Sequence, residues 1–163
     1  MKTLRETFDA RRRLADWLPD HARYRAHLPP KRLEGILTPE SLEAHVELVC
    51  DYAANLADMH GLDDVLNRLI SGLLENTPFS HRADYLGDWV RRMFVEGIVF
   101  HDFGKVNPHF QTKRMKNHMP PWKNPFEPPH GHSFPGTWLF VGHTAGDIFQ
   151  DEHLRDDEER LFL

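Results

Sequence analysis

The residues most able to do chemistry sit in Phe-His-Asp-Phe-Gly-Lys at 100–105. Adjacent His101 and Asp102 at a helix end can project an imidazole nitrogen and a carboxylate oxygen toward one point. A divalent metal accepts that mixture, and imidazole plus carboxylate suits Mn, Fe, Ni or Co as well as Zn. A carboxylate can also bridge two metals about 3.5–4 Å apart, the arrangement of a two-metal hydrolytic centre. The dipeptide alone equally fits a helix-terminal histidine beside a surface aspartate. Lys105, three residues beyond Asp102, is placed to meet a phosphate, to orient a metal site, or to sit at a helix C-terminus where the dipole favours a cation.

Two further histidines stand where such chemistry could use them. His45 falls on the apolar stripe of an earlier helix and is predicted to face inward, as a ligand or as a hydrogen-bonded core residue, because an unpaired buried imidazole is costly. His132 precedes Ser133, the expected N-cap of a late helix, and is either a ligand or a loop residue. The chain carries 12 histidines, and imidazole is the commonest neutral metal ligand. His60, His81, His109, His118, His130 and His153 have surroundings typical of surface residues.

The elements that must hold these side chains read as helices. A short helix is predicted near Leu4–Trp17, followed by a loop with Pro29-Pro30. Thr38-Pro39-Glu40-Ser41 predicts an N-cap with proline at the first helical position. Leu42, His45, Val46, Val49, Ala53, Leu56 and Ala57 then recur at three- and four-residue spacing, ending at Gly61. A second helix is expected over Leu62–Leu74, with Leu62, Val65, Leu66, Leu69, Ile70 and Leu73 on its apolar face. A third spans Asp84–His101, with Val90, Met93, Phe94, Gly97, Ile98 and His101 on one side and Gly104 as its stop. Residues 105–131 are proline-rich and read as a long loop, and a last helix follows Ser133. No strand pattern stands out, so the expected class is all-α. The domain reading is an N-terminal helix and loop over 1–37 and one main domain over 38–163.

Composition narrows the setting. The 163 residues are 40% hydrophobic and 28% charged, which suits one soluble domain with its own core. No apolar run reaches the roughly 18 residues that cross a bilayer, and the first residues, through Arg11-Arg12-Arg13, do not read as the apolar core of a signal peptide. A lone Cys50 suits a reducing cytoplasm. Net charge is -5, yet Asp102 and Glu127 enclose a stretch free of acids that holds Lys105, Lys113, Arg114, Lys116 and Lys123. That basic segment is either a guide for a phosphate backbone or a solvated loop.

These pieces together resemble a known family. His45 within Leu-Glu-Ala-His-Val-Glu-Leu-Val, Phe-His-Asp-Phe-Gly-Lys followed by Pro108-His109-Phe110-Gln111, and Gly-His-Ser at 131–133 are similar to the HD nuclease domain of the type I CRISPR interference nuclease-helicase. The Phe-Gln after the His-Asp element separates this family from generic HD phosphohydrolases. The resemblance covers about residues 40–145 and implies an HD-domain helical bundle. It implies His45, His101 and Asp102 as first-metal ligands with Asp102 bridging, His132 as a ligand to a second metal, and Lys105 near the scissile phosphate. The implied activity is hydrolysis of single-stranded DNA with one or two divalent transition ions, alongside a helicase and an RNA-guided surveillance complex, with Lys105, Lys113, Arg114 and Lys116 along the strand.

One departure bears on the second metal. The family carries an adjacent histidine pair and a further aspartate downstream, whereas this sequence has no adjacent histidine pair. With its end in Leu161-Phe162-Leu163, the chain is expected to be an incomplete, C-terminally shortened version of the bundle. Asp147, Asp151 and His143 are the available substitutes. Two other functions remain: an HD phosphohydrolase acting on nucleotides, which needs a closed pocket, and a non-catalytic HD fold serving as an interaction module.

Overall fold

The computed structural model describes residues 2–119 and 140–143. Within them the order is α1 (Leu4–Arg11), β1 (Arg25–His27), β2 (Glu40–Ser41), α2 (Leu42–Met59), α3 (Leu62–Leu74), α4 (Ala83–Phe100) and α5 (Pro108–Lys113), joined by 3-10 turns. The all-α reading holds, with one small exception: β1 and β2 pair antiparallel, and His27 stands opposite Glu40. Strands of three and two residues are too short to show an alternating pattern, so the sequence carries no sign of them.

The N-terminal helix is shorter than its periodicity suggests. A capping box starts it, with Thr3 Oγ1 accepting from the Glu6 N–H at 3.1 Å and Glu6 Oε2 accepting from the Thr3 N–H at 2.8 Å. It ends at Arg11, whose carbonyl accepts from the Trp17 indole at 2.8 Å. That bond folds the following turn back, and the Trp17 ring packs edge-on against Phe100 of α4. Leu4, Phe8 and Leu14 thereby join the core formed by Leu42, Val46, Cys50, Ala54, Ala57, Val95 and Val99.

Helix α2 begins three residues later than Thr38-Pro39 implies. Ser41 caps it, accepting from the Ala44 N–H at 3.1 Å, because Glu40 and Ser41 are taken up by pairing with β1. After α2 the chain turns at Gly61, whose φ of +58° is the left-handed conformation that glycine adopts without a Cβ penalty. The buried face of α2 shares Leu42, Val46 and Ala57 with the predicted stripe but runs through Cys50 and Ala54, leaving His45, Val49 and Ala53 half-buried at its edge and Leu56 exposed. Burial pushes the Cys50 thiol up to about 11, so this cysteine is a core residue and not a nucleophile.

Helices α3 and α4 depart most from their apolar patterns. Only Ile70 is fully buried on α3, while Val65, Leu69 and Leu73 face out. On α4, Met93 and Phe94 are exposed, and the buried face is Gly87, Arg91, Val95, Glu96, Val99 and Phe100. Two charged residues sit on that inward face because each has partners. Arg91 donates to Asp63 at 2.6 Å, to Asn67 at 2.7 Å and to the Gly87 carbonyl at 3.0 Å, which clamps α3 to α4. Glu96 pairs with Arg92 at 2.7 Å and Arg11 at 3.5 Å, tying α1 to the same helix. A count of apolar side chains cannot register inward charges neutralised in this way.

Candidate metal centre

Helix α4 stops at Phe100, with His101 as its C-cap. Asp102 then opens a 3-10 turn over Phe103–Val106, and the Lys105 N–H bonds the Asp102 carbonyl at 2.9 Å. In a 3-10 turn side chains three apart eclipse one another, so Lys105 folds back onto Asp102 with Nζ 2.7 Å from Oδ2. Gly104, expected as a helix stop, lies inside this turn and is buried.

Two histidines converge on the same carboxylate oxygen. His45, from the first turn of α2, places Nε2 3.1 Å from Asp102 Oδ2. His101 places Nε2 3.3 Å from it, while its Nδ1 lies 2.6 Å from the Ile98 carbonyl. That carbonyl can only accept, so Nδ1 carries the proton and Nε2 is left to face Asp102. Asp102 is only 7% exposed at its side chain and His45 15%, whereas His101 at 38% forms the solvent side of the cluster.

The titration behaviour follows from these contacts. Burial alone would raise the Asp102 carboxyl, but hydrogen bonds from His101 and Lys105 and their charges outweigh it and hold the carboxyl well below the usual carboxylate range. His101 is raised, first by its hydrogen bond to Asp102. His45 is lowered because burial disfavours its cation more than Asp102 and Glu40 favour it. Asp102 is thus held as the anion and His45 is biased to the neutral form that metal ligation requires, whereas His101 favours its cation, so an ion that takes its Nε2 displaces a proton there.

The residues fit a divalent ion. One atom each from His45, His101 and Asp102 lies within 4.8 Å of the others. Ligands each about 2 Å from one tetrahedral centre stand about 3.3 Å apart, close to the 3.1 and 3.3 Å between the imidazoles and Oδ2. Two nitrogens and one oxygen suit a transition ion and leave positions for substrate.

The sequence places this site in a known group. A family model described as "Cas3, HD domain" matches residues 31–159. The chain belongs to the Cas3 HD-domain family. This agrees with the resemblance carried by the His-Asp and Phe-Gln elements. No curated protein and no solved structure matches the chain significantly.

Within this Cas3 HD domain, His45, His101, Asp102 and Lys105 come together as one cluster. His132 lies outside the described residues, as do Asp147 and Asp151. His143 stands elsewhere: its Nε2 is 3.8 Å from Glu96, and its ring meets Trp17 and Phe100. Lys105 is not a surface lysine of a helix end, since it is 4% exposed and lies between Asp102 and His27 Nε2, the latter at 3.3 Å. Lys113, Arg114 and Lys116 are exposed on and just after α5, with Lys116 paired to Glu34 at 2.6 Å. No helix among the described residues is long and apolar enough to cross a membrane.

Three residues next to the cluster are not among the predicted site residues, and only Gln111, in the Phe-Gln element, carries a sequence signal. His27 Nδ1 lies 2.7 Å from Glu40 Oε2, and Glu40 Oε1 lies 3.5 Å from His45 Nδ1. Burial would raise the Glu40 carboxyl, and the His27 hydrogen bond with both histidines' charges lowers it instead. Gln111 is fully buried: its Nε2 donates to the Arg25 and Lys105 carbonyls at 2.8 Å each, and its Oε1 accepts from the Arg25 N–H at 3.0 Å and Asn117 at 2.9 Å. It thus ties β1 to the turn that holds Lys105, a physical role for the glutamine of the Phe-Gln element.

Proposed function

We propose that this Cas3 HD domain is a metal-dependent nuclease that hydrolyses phosphodiester bonds of single-stranded DNA in CRISPR interference. The observation that carries the reading is the meeting of His45, His101 and Lys105 on a single carboxylate oxygen of Asp102. In this reading His45, His101 and Asp102 hold a first Mn, Fe, Ni or Co ion, and His132 serves a second. Bound there, such an ion supplies Lewis-acid polarisation of a phosphate and neutralises its charge.

The chain's own residues prepare the place. The Ile98 carbonyl fixes the His101 Nδ1 proton, and burial biases His45 toward its neutral form. Lys105 adds a cation beside Asp102, where a substrate phosphate would arrive. Lys113 and Arg114 add positive charge on and just after α5, suited to a phosphate backbone, and Lys116 would join them by exchanging Glu34 for a phosphate. The exposed His101 gives an approach from solvent, which suits a polymer strand better than the closed pocket of a nucleotide hydrolase. A helicase domain or subunit and an RNA-guided surveillance complex are the partners this role requires.

Metal analysis of the purified protein, with cleavage of single-stranded DNA in Mn, Fe, Ni, Co and Mg, tests the proposal. The expected result is bound transition metal and cleavage that His101→Ala removes. Absence of both metal and cleavage from the wild-type chain would overturn it.

A further inference from the structure

His27, Glu40 and His45 form a second group of ligand-type side chains, with one atom from each within 4.8 Å of the others. The group adjoins the proposed centre through His45, and its chemistry decides what it does. A neutral imidazole has one lone pair and one N–H. His45 turns Nε2 toward Asp102 at 3.1 Å and Nδ1 toward Glu40 at 3.5 Å. If Nε2 is the ligand atom of the first ion, Nδ1 carries a proton and cannot bind another. His27 is likewise committed, with Nδ1 on Glu40 at 2.7 Å and Nε2 3.3 Å from the Lys105 ammonium. A second cation there would also lie next to that ammonium.

We infer that Glu40 is a positioning residue for the metal centre: its carboxylate receives His45 Nδ1 and so presents His45 Nε2 toward Asp102, with His27 anchoring the carboxylate. The inference rests on the metal-centre reading above. The two ligand histidines are then held by the same logic. Each has Nε2 toward Asp102 Oδ2 and Nδ1 toward a separate oxygen, the Ile98 carbonyl at hydrogen-bond distance for His101 and the Glu40 carboxylate, as a longer 3.5 Å charge contact, for His45. A carboxylate behind a ligating imidazole fixes its tautomer and raises its basicity. The pairing of β1 with β2 supplies the geometry, since it sets His27 opposite Glu40 immediately before the N-cap of α2. Lys105 closes a ring, contacting both His27 and Asp102.

The test is Mn(II) binding to the full chain by calorimetry, for wild type, Glu40→Ala and Glu40→Gln, with melting curves to establish folding. Glu40→Ala is expected to weaken Mn(II) binding by about 10–100-fold. Glu40→Gln keeps an accepting oxygen without the charge, so it should fall between Glu40→Ala and wild type and rescue binding in part. A second readout is the nitrogen-15 spectrum of the Zn(II)-loaded protein with labelled histidine. Wild type should show a protected Nδ1–H on His45, and Glu40→Ala should lose that protection. Folded Glu40→Ala that binds Mn(II) like wild type, or keeps the protected Nδ1–H, overturns the positioning role while the metal centre stands. A wild-type chain that binds no Mn(II) or Zn(II) overturns the metal centre itself, and the positioning role with it.

Discussion

Gln111→Ala offers a direct measure of how the site is held together. The side chain is fully buried and makes four hydrogen bonds of 2.8–3.0 Å, three of them to the backbone of Arg25 and Lys105. Truncation leaves the Arg25 N–H, the Arg25 carbonyl and the Lys105 carbonyl without those partners. An unsatisfied buried group costs about 1–3 kcal/mol, and water reaches the partly buried Arg25 groups, so the expected loss is about 3–5 kcal/mol. For a chain of this size that corresponds to a fall in Tm of about 6–20 °C. Thermal melts and urea titrations followed by circular dichroism measure it. Gln111→Glu sharpens the test, because it keeps both acceptor bonds but turns a carboxylate oxygen toward two carbonyl oxygens. Its folded-state pKa should therefore be raised, and its destabilisation should be present above the unfolded value near 4.3 and relieved as pH falls. A Gln111→Ala protein that melts with wild type would refute the idea that this glutamine joins β1 to the Lys105 turn.

Further expectations follow from the cluster. Asp102→Ala leaves the Lys105 ammonium buried without its carboxylate, and breaking such a pair costs about 3–5 kcal/mol; an unchanged melting temperature would show that Lys105 readily reaches water. Without added metal, stability should vary with pH in three ways. Asp102, depressed in the fold, contributes above its unfolded value near 4 and loses that contribution as pH falls. His45, also depressed, adds stability as pH rises toward about 6.5, and His101, raised, loses its contribution as pH rises beyond about 6.5. Urea midpoints across pH should thus pass through a maximum near pH 6.5, and His101→Ala should flatten the descending limb; a descending limb that survives His101→Ala would contradict the assignment. Replacing Lys113 and Arg114 by glutamate should weaken single-stranded DNA binding and reduce the salt slope by about 0.7 for each phosphate no longer neutralised. An unaltered slope would remove these two from the strand path.

Much of the site was legible because it is local. Helical spacing alone turns His45 inward on α2, and the end of an apolar run alone puts His101 and Asp102 at a helix terminus. Three residues of a tight turn then suffice to return Lys105 to Asp102, and the all-α class follows from the same periodicities. What periodicity could not supply was any pairing made across distant parts of the chain. The inward face of α4 carries Arg91 and Glu96, and charge is tolerated there because Arg91 meets Asp63 of α3 and Glu96 meets both Arg92 one turn away and Arg11 of α1. The expected face through Met93 and Phe94 failed for that reason. His27 meets Glu40 through a two-stranded pairing too short to leave a pattern, and Gln111 looked like a family mark until its bonds to Arg25, 86 residues away, gave it a mechanical role. Local spacing determined which side chains could act as ligands. Tertiary packing decided which oxygen each of their nitrogens faces, because a buried polar group is stable only beside the partner the fold brings to it.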